Sequence, residues 1–74
     1  MAQERKLLLE KLIKQLRVKK FSASALTHVT LALISIRKED HTRFLTDLLS
    51  EAEKSETEKA FLDRVWIMTG AIDE

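Results

Sequence analysis

The sequence predicts an all-α fold, a small antiparallel bundle of four helices forming one domain over residues 1–74. Three observations lead there. Apolar residues recur at steps of three and four along most of the chain, which is the period of an α-helix. No run alternates with a period of two and no Asn-Gly or Asp-Gly turn is present, so strand and hairpin signals are missing. Proline is absent and Gly70 is the only glycine, so helix ends have to be set by capping side chains. At this size a core is marginal, and such chains often gain stability by self-association.

The first helix is expected from about Gln3 to Lys19. Leu9, Leu12, Ile13 and Leu16 make its inward stripe. Lys11 and Lys14 fall on the reverse face, on one strip with Leu7 and Val18. Single exposed apolar residues are ordinary on a protein surface. The sharper reading makes Leu7 and Val18 part of a second contact surface.

Residues 21–36, from Phe21 to Ile36, hold no Asp, Glu, Lys or Arg, although 34% of the chain is charged. Leu26, Val29, Leu33 and Ile36, with Ala25 and Ala32, form one helical stripe there. Leu31 and Ile34 fall on nearly the opposite side, flanked by Thr27 and Thr30. Ser24, His28 and Ser35 make a narrow polar strip between the two. A helix that is apolar on two sides calls for neighbours on two sides. The segment is shorter than the roughly 20 apolar residues of a membrane span. Ser22 or Ser24 is expected to cap it by accepting from a free backbone N–H.

Asp40 is expected to cap the third helix, whose stripe of Phe44, Leu45, Leu48, Leu49 and Ala52 is the cleanest amphipathic pattern in the chain. Ser55-Glu-Thr-Glu58 has the form of a capping box and places the next helix start at Ser55. Ser50-Glu-Ala-Glu53 fits the same form, so an earlier break, or a fusion of the last two helices into a three-helix domain, is the alternative. The fourth helix turns Phe61, Leu62, Val65 and Met68 inward and ends at Gly70, which tolerates the left-handed conformation. No internal repeat or low-complexity tract is evident in the sequence.

With no cysteine there is no disulfide or thiolate chemistry, and no signal-peptide core follows the charged start, so a cytoplasmic location is expected. The net charge of +1 hides an asymmetry. Residues 1–20 carry seven basic and two acidic side chains, and residues 21–74 carry six basic and ten acidic.

No motif for catalysis or for a cofactor is present: no P-loop, dinucleotide fingerprint, zinc-protease helix or calcium loop. His28 and His41, the only histidines, fall short of the three or four ligands of a zinc site. His28 suits an ordinary hydrogen bond and His41 a packing place at a helix start. Glu51, Glu53, Glu56 and Glu58 straddle a turn, where a buried acid–base pair is not expected. The expected function is therefore a non-enzymatic protein-interaction domain, regulatory, adaptor-like or inhibitor-like, without cofactor or metal, acting as a homodimer through surplus apolar faces. Its candidate interface residues are Leu7, Val18, Leu31, Ile34, Trp66 and Ile67, Trp66 being an anchor type favoured at interfaces. The alternative is a nucleic-acid-binding regulator that sets Lys6, Lys11, Lys14, Arg17, Lys19 and Lys20 of the first helix against phosphates. The near-neutral whole chain and the lack of aromatic stacking platforms speak against it.

Overall fold

The computed structural model describes residues 2–72. It contains α1 (Ala2–Val18), α2 (Ala23–Ser35), α3 (His41–Lys54) and α4 (Glu58–Thr69), with a 3-10 turn over Lys38–Asp40 leading into α3. There is no strand among the described residues. The predicted helical bundle is what forms, and the break between Lys54 and Glu58 removes the three-helix alternative.

One continuous core runs through all four helices. Leu12 and Leu16 come from α1, Ala25, Val29 and Ala32 from α2, Phe44, Leu45, Leu48 and Ala52 from α3, and Phe61 and Val65 from α4. The predicted stripes supply all of these. Their outer members Leu9, Ile13, Leu26, Leu33, Leu49, Leu62 and Met68 are half-buried. Ile36 leaves the helix, because α2 ends one residue earlier and Ile36 is extended.

Successive helices reverse direction, but the closest packing skips a helix: α1 lies mainly on α3, and α2 on α4. Both pairs are parallel. Arg5 at the start of α1 meets His41 at the start of α3, and Lys19 just past α1 reaches the carbonyls of Glu53 and Ser55 at the end of α3. Ser22 before α2 meets Glu58 at the start of α4, and His28 within α2 meets Trp66 further along α4. The molecule is thus two helical hairpins, α1–α2 and α3–α4, stacked in the same orientation.

The stack is a repeat that sequence inspection misses. Partners across it stand 36 residues apart at Arg5–His41, Lys19–Ser55 and Ser22–Glu58. Shifted by the same interval, α1 covers the 3-10 turn and α3 together. Leu12 and Leu48, Leu16 and Ala52, Ala25 and Phe61, and Val29 and Val65 are then equivalent, and all are buried. The same residue stands at both positions only at Leu9 and Leu45, Leu12 and Leu48, Leu26 and Leu62, Val29 and Val65, and Ile36 and Ile72. Burial constrains a core position and leaves the surface positions free, so apolar pattern persists where identity does not.

The helix ends correct the predicted caps. Ser22 holds the N-cap position of α2, but its side chain makes no cap bond and is turned to Glu58. Asp40 precedes α3 in a helical conformation, without a side-chain cap bond, and its carboxylate accepts from Arg37 at 3.3 Å. The capping residue of α4 is Thr57 rather than Ser55, its Oγ1 accepting from the Ala60 N–H at 3.1 Å. Ser55 instead closes α3: it is buried and its Oγ donates to the Glu51 carbonyl at 2.7 Å. Gly70 ends α4 as predicted, at φ 84°. Its N–H and that of Ala71 bond back to Ile67 and Trp66, the paired bonds of a Schellman cap. Lys20 ends α1 with the same two bonds, to Arg17 and through Phe21 to Leu16, at φ 61°. A non-glycine residue there carries steric strain.

Candidate functional site

The polar groups with chemistry are used inside the fold. Trp66 is half-buried and its Nε1–H donates to His28 Nδ1 at 3.0 Å, with the rings edge to face. This bond joins α2 to α4. The bond expected of His28 is therefore found, and its partner is the tryptophan. The two ring nitrogens of His41 lie 2.7 Å from the Leu33 carbonyl and 3.2 Å from an Arg5 guanidinium nitrogen. A carbonyl only accepts and a guanidinium only donates. The neutral ring with its proton on Nε2 satisfies both, and ties α1, α2 and α3 together at one end.

The four clustered glutamates do not converge. Glu58 accepts from the Ser22 N–H at 2.6 Å and from the Ser22 hydroxyl at 2.7 Å. The backbone bond first, then the hydroxyl bond, hold its carboxyl below the ordinary 4.5, with a smaller contribution from His28. Glu51 pairs with Arg64 at 3.5 Å, while Glu53 and Glu56 are exposed. Among the described residues no group of three or more His, Asp or Glu side chains is placed to hold a metal ion. No helix there is long and apolar enough to cross a membrane.

What the fold leaves over is apolar surface. Leu7 is 57% exposed, Val18 67%, Leu31 48% and Ile34 76%. These four lie on the first hairpin, and Ile72, just past α4 in the second, is 46% exposed. In the second hairpin the equivalent positions are Arg43, Lys54, Ile67 and Gly70. Leu7 and Leu16 are nine residues apart, which at about 100° per residue places them on opposite sides of α1. Leu31 stands in the same relation to Val29 on α2. Because the buried sides of both helices face the common core, Leu7 and Val18 lie on the outer surface of the α1/α3 layer. Leu31 and Ile34 lie on the outer surface of the α2/α4 layer, where Ile67 is half-buried. The six candidate interface residues therefore do not form one patch. Trp66 is tied into the fold, and Leu31 with Ile34 stands on the helix without charge.

The basic residues are likewise distributed. Lys6, Lys11, Lys14, Arg17 and Lys20 are exposed, whereas Lys19 is half-buried with its ammonium donating to Glu53 and Ser55 carbonyls at 2.9 and 3.1 Å. Those carbonyls end α3, where a cation suits the helix dipole. Lys11 and Lys14 share the outer strip with Leu7 and Val18, and Lys6 and Arg17 lie on the flank of α1 that also carries Ile13. The features missed from sequence are a groove of about 450 Å³ beside Leu9, Leu33 and His41, and a pair of grooves at the two ends of the stack. One lies beside Ile13, Phe21 and Leu26, the other beside Phe44 and Met68. Comparison of the chain with protein-family models, with curated proteins and with solved structures yields no match.

Proposed function

We propose that the protein is a non-enzymatic interaction module, regulatory, adaptor-like or inhibitor-like, whose principal docking surface is the outer face of α2, and that it pairs with a second copy of itself there. The supporting observation is the exposure of Leu31 and Ile34 on a helix that contains no charged residue. Burying each would contribute about 1.5 to 3 kcal/mol, and no ion would have to be desolvated to do so. A two-fold pair uses the same patch twice, which favours a symmetric contact. Sedimentation equilibrium tests this. The wild type should show a dimer that Ile34→Glu converts to a folded monomer, because Ile34 contributes nothing to the core. A folded wild-type monomer at high micromolar concentration would overturn the pairing.

A second reading rests on the exposure of five of the six cations first singled out, Lys6, Lys11, Lys14, Arg17 and Lys20. In it, the first hairpin binds nucleic acid through phosphates. Such binding would weaken steeply with salt, and Lys11→Glu with Lys14→Glu would abolish it.

A further inference from the structure

The seam between α1 and α2 is open on the side turned away from the second hairpin. Its flanks can be assigned from the bonds across the stack. On α1, the flank facing α3 carries Lys19. Lys6, Ile13 and Arg17 lie on the opposite flank, since Lys6 and Arg17 are eleven residues apart and stand one above the other. On α2, His28 marks the flank facing α4, and Leu26 and Leu33 lie on the far flank. Two grooves open along this seam. One, of about 450 Å³, lies between the start of α1 and the end of α2 and is lined by Leu9, Leu33 and Leu45. The other, of about 260 Å³, lies at the opposite end of the seam, beside Ile13, Phe21 and Leu26. Leu9, Ile13, Leu26 and Leu33 are all half-buried.

The charge along the seam has one sign. Arg5 and Lys6 line the first groove and Arg17 the second, and no acidic residue lines either. Arg5 is bonded to the neutral His41 ring, whereas Lys6 and Arg17 are exposed. Glu10 stands between these two on the outer surface of α1 and lines neither groove. The α2 side of the seam carries no charge. The far end of the stack is different. There Asp40 pairs with Arg37 and Glu51 with Arg64, and Asp47 shares its groove with Arg43. That end is charge-balanced and does not complement the seam, so the complement has to come from a different chain.

The second hairpin shows what covers such a seam. At the interval of 36 residues, Leu9 and Leu26 correspond to Leu45 and Leu62. Leu45 is completely buried with the first hairpin against it, whereas Leu9 is only half-buried. In stacked helical repeats a terminal unit needs a polar outer face to end the stack, and this seam is apolar along its floor. We infer that the seam binds an amphipathic helix of a partner protein, its apolar stripe on Leu9, Ile13, Leu26 and Leu33 and its acidic residues beside Lys6 and Arg17. The rise from Lys6 to Arg17, about 16 Å along α1, matches three turns of such a helix. The mode is a helix laid in a groove and read by anchors at steps of three and four. It uses a different face from the pairing through α2 and does not rest on that pairing.

The probe is a synthetic helix of about 16 residues, with leucine at alternating steps of three and four and glutamate along one flank of that stripe. Calorimetry should give one helix per chain at micromolar strength, weakened at high salt as the exposed charges are screened. Lys6→Glu with Arg17→Glu should lower the affinity about tenfold or more. The same variant should gain affinity for the peptide remade with lysine in place of glutamate. Both substitutions alter exposed charges, and helicity and cooperative melting are checked. Should that variant prove unfolded, Thr30→Glu, at an exposed position on the α2 side of the seam, should repel the acidic helix instead. Amide shifts on binding should gather at Leu9, Ile13, Leu26 and Leu33 and spare Leu31 and Ile34. An acidic peptide that fails to bind, a lysine version that binds the wild type equally well, or shifts centred on Leu31 and Ile34 would each overturn the inference. So would laurate occupying the seam while the peptide does not, which would make it a site for a lipid carboxylate.

Discussion

The two hairpins share a backbone plan and a core but differ in every exposed position that matters. Leu12 and Leu48 are equivalent and fully buried, as are Val29 and Val65. Leu7 and Val18 in the first hairpin are answered by Arg43 and Lys54 in the second. At these two positions the second hairpin carries charge where the first keeps apolar residues outside, although Ile72, just past α4, is also exposed. The difference teaches that an interval of 36 residues is maintained here by packing, and that surface composition is free to diverge around it.

The largest effect should come from the shared core. Leu12→Ala and Leu48→Ala should each cost about 2 to 5 kcal/mol, a large fraction of the stability of a domain this size. Urea denaturation measures both. Equal costs support two equivalent hairpins in one cooperative unit. A much smaller cost for Leu12→Ala would mean that the first hairpin is an appendage to the second.

The starts of the second helix in each hairpin differ next. Thr57 caps α4 through its side chain, whereas Ser22 at the equivalent junction of α2 does not. Thr57→Ala should therefore lower stability by about 1 kcal/mol. Comparable destabilisation from Ser55→Ala is also expected, at about 1 kcal/mol, but through loss of the bond to Glu51 within α3. Helix-specific hydrogen exchange separates the two, since only Thr57→Ala should deprotect the first turn of α4.

The helix ends invite a gain. Gly70 and Lys20 make the same cap, one with a glycine and one without. Lys20→Gly should relieve left-handed strain and raise stability by up to about 1 kcal/mol, reduced by the greater freedom of glycine in the unfolded chain. A loss of stability would show that the Lys20 side chain contributes more than its backbone costs.

The smallest effect is expected at the seam between the hairpins. Glu58 is half-buried and accepts two bonds from Ser22. Its carboxyl in the folded chain is lowered from 4.5, so its contribution is present at pH above that value. It is lost as the pH falls through the lowered folded value. Glu58→Gln should remove that part of the acid dependence and leave the neutral-pH core intact. An unchanged pH profile of the melting temperature between wild type and Glu58→Gln would show that the seam contributes nothing.

The sequence by itself determined the fold class, the four helices and nearly all of the core, because helical period and burial are written locally: a stripe at steps of three and four has one inward side whatever it meets. It also placed the end at Gly70, where a single residue type accepts the required conformation. Ser22 and Asp40 stand at the expected N-cap positions but make no side-chain cap bond, and Thr57 rather than Ser55 caps α4, because several Ser, Thr and Asp residues near each junction are competent. Only the finished loop decides which of them faces a free N–H. Glu58 is the plainest case: a capping box turns it back to its own helix, but the stacked hairpin offers it the N–H and hydroxyl of Ser22. The parallel pairing of α1 with α3 and of α2 with α4, the Trp66–His28 bond and the two end grooves were decided by tertiary structure alone. They depend on which flank of each helix meets which neighbour, and that information lies in the joint packing of residues 36 or 38 positions apart.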